Sequence, residues 1–391
     1  MKIVVAPDAF KGSISAMDIC SAAEAGIFRV IPEAHVIAIP LADGGEGTVE
    51  NMVFSSNGTI KQRNVRGPLG QEVNAAYGVL GDGQTVVVEM AQASGLTLIP
   101  HNGRDPFAAS SYGTGELIKH ALDEGYRKFV IGLGGSATND GGTGMLKALG
   151  MKFLKEDSTS LPDGGGHLRK LAYYDDTSLD SRIKEASFTI ASDVTNKLCG
   201  PQGASAVFGP QKGAPPEMVQ QLDQALNHFA EIVLKQKGMD MREMEGGGAA
   251  GGMGAGLITF LQAEVKSGIE VIMEEIHFEA FIEDVDLIIT GEGRLDTQTL
   301  SGKVIAGVCK AAKKHNVPVI ALCGGVEINS SELNELGLLS AFSIVPGPCS
   351  LEEAMKKAPH WIINQTESFM RIVRNYNGKI NTLDQIREGS L

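Results

Sequence analysis

The chain has 391 residues, of which 43% are hydrophobic and 21% charged, and its formal net charge is -13 at pH 7. That length allows about two or three domains of ~150 residues, each with its own core. The acidic charge opposes binding to nucleic acid or anionic lipid, because affinity for both depends on clustered Lys and Arg. We therefore expect an enzyme-sized globular protein that acts on a small molecule, with no nucleic-acid or membrane partner.

The cysteine and histidine patterns exclude two further classes. Five widely spaced cysteines form no C-x-x-C pair, so neither a disulfide framework nor a zinc site is indicated, and the eight histidines have no metal-ligand spacing. The apolar run before Pro7 is too short for a secretory signal. Residues 246–263 lack charge but are rich in glycine, so no membrane span is expected there. Together these features predict a cytoplasmic protein.

The chain begins with a predicted βαβ unit, formed by a strand at 2–6, a helix at about 15–30 and a strand at 35–39. The loop after the first strand carries Asp8 and Lys11. Lys11 could bind a phosphate or a carboxylate near the helix N-terminus, or it could be an ordinary exposed loop lysine.

The second strand runs into the segment Asp43-Gly44-Gly45-Glu46-Gly47-Thr48. Two acids three residues apart, Asp43 and Glu46, suit a hydrated Mg²⁺, which takes one or two carboxylates and keeps several waters. The alternative is an N-cap aspartate followed by a glutamate in the first helical turn. Three predicted strands follow, at 59–65, 73–80 and 85–90, and their spacing predicts an antiparallel meander.

A further apolar strand at 129–131 leads into the glycine-rich segment Gly132–Gly142. Its first residues match the dinucleotide pattern G-x-G-x-x-A, with Glu156 and Asp157 at about the expected distance downstream, so a nicotinamide enzyme is one alternative. The polar continuation at 136–140 favours a phosphate loop of another kind. A turn needed only for tight packing is the third alternative.

Asp193 follows the apolar strand at 188–191. A carboxylate at a strand end can act as a base or a metal ligand, or it can form an Asx-turn. An amphipathic helix is predicted from Pro215 to Lys237. The glycine-rich stretch at 245–256 is either a flexible linker or a segment that closely approaches a ligand or another part of the chain.

Parallel-sheet features return near residue 280. A strand at 287–289 ends in Gly291-Glu292-Gly293-Arg294-Leu295-Asp296, and the elements that follow are a helix at 301–314, strands at 317–323 and 341–345, and a last helix from 351 to about 374. This order predicts an α/β fold of two domains. A discontinuous Rossmann-like parallel-sheet domain, residues 1–60 and 280–391, is interrupted by a second α/β domain with glycine-rich loops, residues 61–279. We expect the active site in the cleft between them.

Taken together, the motifs closely resemble the type I glycerate kinase family, the glycerate 2-kinases of bacterial glyoxylate and sugar-acid catabolism. The resemblance covers nearly the whole chain and is carried by residues 6–13, 42–48, 132–142, 192–194, 203–213, 248–254 and 289–294, with Asp296 and Gln298. It implies ATP-dependent phosphorylation of D-glycerate with Mg²⁺, on the 2-hydroxyl. Lys197 and Glu245 depart from the family, which usually has proline at both positions.

Phosphoryl transfer depends mainly on positioning and charge neutralisation, which glycine loops, a cation and a few acids can provide. The predicted catalytic residues are Asp193, Asp296 and Lys11. The predicted nucleotide-binding residues are Gly134, Gly135, Ser136, Thr138, Gly291 and Gly293. The predicted substrate-binding residues are Asp8, Lys11 and Arg294, and the predicted metal ligands are Asp43 and Glu46. Whether Asp193 or Asp296 is the base stays open, as does the oligomeric state. The alternatives from other classes are a Rossmann oxidoreductase and a non-catalytic sugar-acid-binding protein.

Overall fold

The computed structural model describes residues 1–297, 299 and 303–388, with the backbone alone at 376–388. Gln298 and the predicted helix start at 301–302 therefore lie outside the described residues. The chain divides into two compact units. Unit 1 consists of Met1–Ala42 and Met273–Leu391, and unit 2 of Asp43–Ile272.

The described strands, in chain order, are β1 (Lys2–Val5), β2 (His35–Ala38), β3 (Thr59–Arg66), β4 (Glu72–Val79), β5 (Thr85–Glu89), β6 (Lys128–Gly132), β7 (Lys152–Leu154), β8 (Tyr173–Asp175), β9 (Ser187–Ala191), β10 (Glu264–Lys266), β11 (Leu287–Leu295), β12 (Val319–Val326) and β13 (Ser340–Ser343). The described α-helices are α1 (Ala16–Phe28), α2 (Thr48–Ser56), α3 (Ala91–Ser94), α4 (Tyr112–Asp123), α5 (Thr143–Ala148), α6 (Ala204–Phe208), α7 (Pro216–Lys237), α8 (Ala249–Leu261), α9 (Gly268–Glu275), α10 (Phe278–Ile282), α11 (Val304–His315), α12 (Ser330–Leu336) and α13 (Leu351–Glu388).

Unit 1 is built on a five-stranded parallel sheet of order β2-β1-β11-β12-β13. Ile3, Val4 and Val5 of β1, an interior strand of this sheet, are fully buried, as expected for a strand covered by helices on both faces. Counted within the unit, this order is 2-1-3-4-5, the flavodoxin-like order, so the predicted parallel α/β sheet is confirmed in a variant of the doubly wound fold. The strand order reverses between β1 and β11.

Unit 2 is built on a six-stranded sheet of order β10-β9-β6-β5-β4-β3. Strands β5, β6, β9 and β10 are parallel, whereas β3, β4 and β5 form the predicted antiparallel meander. The predicted helix at 215–237 is α7, which buries Leu222, Leu226, Phe229 and Val233 and ends at Gly238, at a φ of 73°.

The units change at residues 43 and 273, whereas the sequence placed the domain boundaries at 60–61 and 279–280. The difference at the first boundary lies in α2. This helix packs on the meander, because a Cβ on Gly78 of β4 would lie 2.5 Å from Val53 of the helix. Its backbone also bonds to β5, where Glu89 accepts a hydrogen bond from Val49 N at 2.6 Å. Among the described helices, none is both long and apolar enough to cross a membrane.

Candidate active site

Four parallel strands of unit 2 end at the same level. Glu89 of β5 pairs with Gly132 of β6, Gly132 pairs with Ala191 of β9, and Ala191 pairs with Lys266 of β10. Ligands of parallel sheets bind outside the carboxyl ends of the strands, where the following loops gather. We call this edge of the sheet the carboxyl edge. A site in unit 2 is therefore expected there.

The loop that contains Asp43 lies directly against the carboxyl edge. Gly44 has a φ of +88°, and a Cβ at this position would lie 2.2 Å from the carbonyl oxygen of Ala191. Its own carbonyl oxygen accepts a hydrogen bond from Gly134 N at 3.3 Å. The structure thus brings two of the predicted glycine segments, at 43–48 and 132–142, into contact.

Asp193 stands on the same edge, two residues after β9. Its Oδ1 accepts a hydrogen bond from Gly268 N at 3.2 Å. Gly268 lies 75 positions away in the chain, whereas an Asx-turn bonds to a backbone group about two residues away. Crowding by the surrounding loops removes water from the carboxylate and raises its pKa, and the charges of Asp43 and Glu270 raise that pKa further. A carboxylate with a raised pKa at a loop-lined edge has the character of a proton acceptor.

Glu89 is an acid of this edge that our sequence analysis missed. It is 2% exposed, and its Oε1 bonds to Val49 N in the first turn of α2. The N-cap of α2 is Gly47, without a side-chain cap, so the alternative that Asp43 is an N-cap aspartate is excluded. Glu89 follows the buried run Val86–Val88, the same signal that singled out Asp193, and could have been found by it.

Burial raises the pKa of Glu89 from 4.5 to about 8. Between these values the unfolded chain releases the proton that the folded chain keeps, so stability falls as pH rises, by up to about 1.4 kcal/mol per pH unit. Glu89→Gln removes this pH dependence of the stability. The difference in Tm between the variant and the wild type should therefore rise by several degrees from pH 5 to pH 8. Thermal scans at both pH values check this, with exposed Glu156→Gln as the control. An equal Tm difference at the two pH values would contradict the buried titration.

The loop after β6 does not have the shape of a dinucleotide fingerprint. Helix α5 starts only at Thr143, well beyond the G-x-G-x-x-A pattern. The acids Glu156 and Asp157 follow β7, which pairs with β8 in a separate two-stranded sheet rather than in the main sheet. Both observations disfavour the nicotinamide alternative, because that fold needs the helix N-terminus at the glycines and the acid on the next strand.

The loop at 132–142 presents hydrogen-bond donors. Within the described chain, the backbone amides of Gly135 and Ser136 donate to no protein acceptor. Ser136 is 7% exposed and Thr138 is fully buried, so of the predicted nucleotide-binding residues Gly135 is the most open in this loop. Adjacent amides without protein acceptors are suited to anion binding.

Lys212 is a second residue that the sequence did not single out. Its side chain is 2% exposed, and Nζ donates to Ser136 Oγ at 2.8 Å and to the Thr138 carbonyl oxygen at 2.7 Å. Lysine is rarely buried in this way, so residue type alone gives no warning. The flanking glycines, Gly209 and Gly213, were the available signal.

The glycine-rich stretch at 245–256 packs against the same loop. A Cβ on Gly251 would lie 2.1 Å from the carbonyl oxygen of Thr138, and Gly251 O accepts a hydrogen bond from Gly141 N at 3.0 Å. Of the two alternatives for this stretch, the structure supports close approach to another segment of the chain over a flexible linker.

The predicted residues of unit 1 lie at the point where the strand order reverses. After β1, Asp8 N donates to Gly291 O at 2.8 Å, and Asp8 itself is 7% exposed. A Cβ on Gly293 would lie 3.5 Å from Cα of Phe10 and 3.9 Å from the backbone nitrogen of Lys11. Ligands of doubly wound sheets bind at such a reversal, so the structure brings Asp8, Lys11, Gly291 and Gly293 together where a site is expected.

Arg294 and Asp296 are engaged with protein partners. Arg294 Nη2 bonds to Glu327 Oε2 at 2.6 Å, and its Nε lies 3.7 Å from Asp296 Oδ2. Arg294 is 64% exposed, and an exposed pair of this kind is worth little free energy, so a ligand could replace it. Beside them, Thr299 Oγ1 donates a hydrogen bond to the buried carboxylate of Glu292.

The predicted metal ligands differ in setting. Asp43 is half-buried and its Oδ1 accepts a hydrogen bond from Gly45 N at 3.2 Å, whereas Glu46 is exposed. Over the described residues, no group of three or more His, Cys, Asp or Glu is arranged to hold a metal ion. A cation at this edge would therefore be held by one or two carboxylates and by water, which is how Mg²⁺ is usually bound.

Comparison with known proteins identifies the class. Residues 3–374 match the model of the glycerate kinase family. The chain is 49% identical to a glycerate kinase of Bacillus subtilis (strain 168), over 93% of this chain and 95% of the relative, and 46% identical to a glycerate 2-kinase of Escherichia coli (strain K12), over 92% and 94%. A crystal structure described as glycerate kinase 2 from Salmonella typhimurium LT2 superposes with a TM-score of 0.86 at 46% identity, covering 97% of this chain and 99% of that one.

These similarities, together with the two parallel-sheet units, define an α/β enzyme of the kinase class. The chain belongs to the glycerate kinase family. The resemblance drawn from the sequence is confirmed, and the oxidoreductase and the non-catalytic binding protein are excluded by it.

Proposed function

We propose that this enzyme phosphorylates D-glycerate with ATP and releases 2-phosphoglycerate and ADP. The kinase class of the family supports ATP as the donor, and the name of the Escherichia coli relative supports the 2-hydroxyl as the acceptor. The observation that carries the proposal is the meeting of three elements at the carboxyl edge of unit 2: the loop in which the Gly135 and Ser136 amides have no protein acceptor, the Asp43 loop, and Asp193.

For unit 2 we assign the chemistry of the phosphates and of the proton. The loop at 132–142 binds the ATP phosphates through backbone amides, and Asp193 accepts the proton of the substrate hydroxyl as the phosphoryl group arrives. Asp43 is the first ligand we assign to Mg²⁺, because its charge already acts on Asp193 and a cation would relieve that repulsion. When bound, Mg²⁺ supplies charge neutralisation for the phosphates.

For unit 1 we assign recognition of the substrate anion. Lys11 is exposed, in a turn closed by hydrogen bonds between Phe10 and Ile14, and this turn precedes α1. An ammonium there can bind the carboxylate of glycerate, with Asp8 and Arg294 as further polar contacts. The five cysteines are free thiols, which supports the reducing cytoplasm as the place of action.

The test of the function is a defined reaction. ADP release should require both D-glycerate and Mg²⁺, and phosphorus NMR of the mixture should show 2-phosphoglycerate. A 3-phosphoglycerate signal alone would move the acceptor to the other hydroxyl, and ADP release without glycerate would remove glycerate as the substrate.

Replacing Lys11 with alanine should lower kcat/KM for glycerate ~10-fold or more while leaving Tm unchanged, because a charge-assisted hydrogen bond to the substrate is lost from an exposed turn. Steady-state kinetics with varied glycerate measure the effect. Lys313→Ala is the matched control, since Lys313 is an exposed lysine of the same unit, in α11. Wild-type kinetics in a folded Lys11→Ala variant would make Lys11 an ordinary exposed lysine.

A further inference from the structure

Lys212 places a cation in contact with the loop to which we assign the ATP phosphates. An ammonium has three donors, and the two described acceptors of Lys212 Nζ, Ser136 Oγ and the Thr138 carbonyl oxygen, are both neutral. The lysine is held by a tight turn at 210–212. Arg104 Nη1 fixes this turn by donating to Gln211 O at 3.0 Å.

The charge of Lys212 lacks a close carboxylate within the part of the chain that the structure describes. Asp140 acts on it through space, but the oxygens of Asp140 accept hydrogen bonds from Ser111, Gly142 and Gly144 instead. Burial lowers the pKa of Lys212 to about 7, which expresses the cost of keeping the ammonium out of water. An anion bound at the loop would offset this cost.

We propose that Lys212 is a positioning residue for the ATP phosphates: it fixes the Ser136 side chain and the Thr138 backbone, and it provides positive charge next to Ser136, whose amide has no protein acceptor. This inference rests on the proposed function, because it takes the loop at 132–142 as the phosphate site. It adds Lys212 to the proposed phosphate site, where one side chain both fixes the loop geometry and supplies charge.

The test is Lys212→Met, which keeps most of the side-chain volume and removes the charge and both hydrogen bonds. The dissociation constant of ATP, measured by calorimetry without glycerate, should rise ~10-fold to 100-fold, whereas Tm should hold, because the desolvation cost is removed as well. At saturating ATP, kcat should fall less than kcat/KM for ATP. Unchanged ATP binding in Lys212→Met would overturn the proposal.

A matched control separates this role from a purely structural one. Lys147 is also largely buried and donates to a carbonyl oxygen, that of Leu161, but it has a carboxylate partner in Asp163. Lys147→Met should lower Tm and leave ATP binding unchanged. Should Lys212→Met fail to fold, Ser136→Ala replaces it: this variant removes one acceptor and keeps the ammonium, and we expect ATP affinity to fall several-fold. ATP affinity equal to that of the wild type in Ser136→Ala would then overturn the proposal.

A pH profile gives a readout that a structural lysine would not affect. From pH 7.5 to 9 the phosphates of ATP are fully ionised, so their own titration does not change ATP affinity over this range. A fall in wild-type ATP affinity there therefore reports loss of the Lys212 proton. The fall should be absent in Lys212→Met and kept in Glu89→Gln, which removes a buried group whose pKa, raised to about 8, lies in this range. A fall that persists in Lys212→Met would overturn the proposal. If the wild type binds ATP but does not phosphorylate glycerate, the proposed function fails and not this inference.

Discussion

Replacing Asp193 with asparagine should lower kcat by ~10²-fold to 10⁴-fold with little change in Tm. Asparagine keeps the shape of the side chain and the acceptor for Gly268 N, but it cannot take a proton. Because the loops and the neighbouring acids raise the pKa of Asp193, wild-type kcat/KM should also begin to fall on acidification at a higher pH than an ordinary aspartate would give. Steady-state kinetics over pH measure both effects.

Asp223→Asn is the matched control for this change. Asp223 also accepts a backbone hydrogen bond, from Gly200 N at 2.9 Å, and burial raises its pKa as well. We assign it no role in the reaction, so kcat should stay near wild type. A magnesium titration of Asp193→Asn separates base from metal ligand, since only loss of a ligand should be partly recovered at high Mg²⁺. Near-normal kcat in Asp193→Asn together with inactive Asp296→Asn would move the chemistry to the segment at 291–299.

Gly44→Ala should lower kcat/KM by ~10-fold to 100-fold and reduce Tm by several degrees. A Cβ here would meet the carbonyl oxygen of Ala191 at 2.2 Å, so the Asp43 loop must move off the carboxyl edge, away from the position that we assign to Mg²⁺ and the phosphates. Backbone atoms on both sides leave no flexible side chain to give way. Kinetics with varied Mg²⁺ and thermal scans measure the two losses.

The control for Gly44→Ala is Gly70→Ala. Gly70 has nearly the same backbone angle, a φ of +91°, but nothing lies within 4 Å of the added Cβ. Both variants carry the cost of a left-handed alanine, ~1 kcal/mol or slightly more, so the difference between them isolates the collision with Ala191. Equal losses of activity in the two variants would show that the contact at the carboxyl edge does not matter for the reaction.

Local sequence patterns predicted most elements of the fold, because buried parallel strands and amphipathic helices leave a clear periodicity. The apolar run at 3–5 and the helix at 215–237 are examples, and the structure confirms both. Helix α2 was harder to assign to a domain, since what attaches it to unit 2 is a side chain of β5, Glu89, 40 positions away from Val49. Periodicity within a helix carries no information about such a partner.

The candidate site was predictable where acids or glycines end a strand, as at Asp43, Gly134 and Asp193. Their roles in catalysis stay predictions. The burial of Lys212 and the length of the polar loop before α5 could not be predicted from the sequence, because both depend on contacts with distant segments. The dinucleotide pattern at 132–137 illustrates the same limit. Its residues fit the pattern, but in the folded chain the helix starts only at Thr143, too far from the glycines to bind a dinucleotide in that way.

The pairing of β1 with β11 also determines when the protein can fold during synthesis. Lys2 N donates to Asp286 Oδ2, a contact that spans 284 residues, whereas unit 2 is a single continuous segment. Unit 2 can therefore close while the ribosome is still making the rest of the chain. The first strand must wait, with its edge toward β11 unpaired, until almost three quarters of the protein has been made. The interval between the synthesis of these two neighbouring strands is thus a period in which an unpaired strand edge favours aggregation.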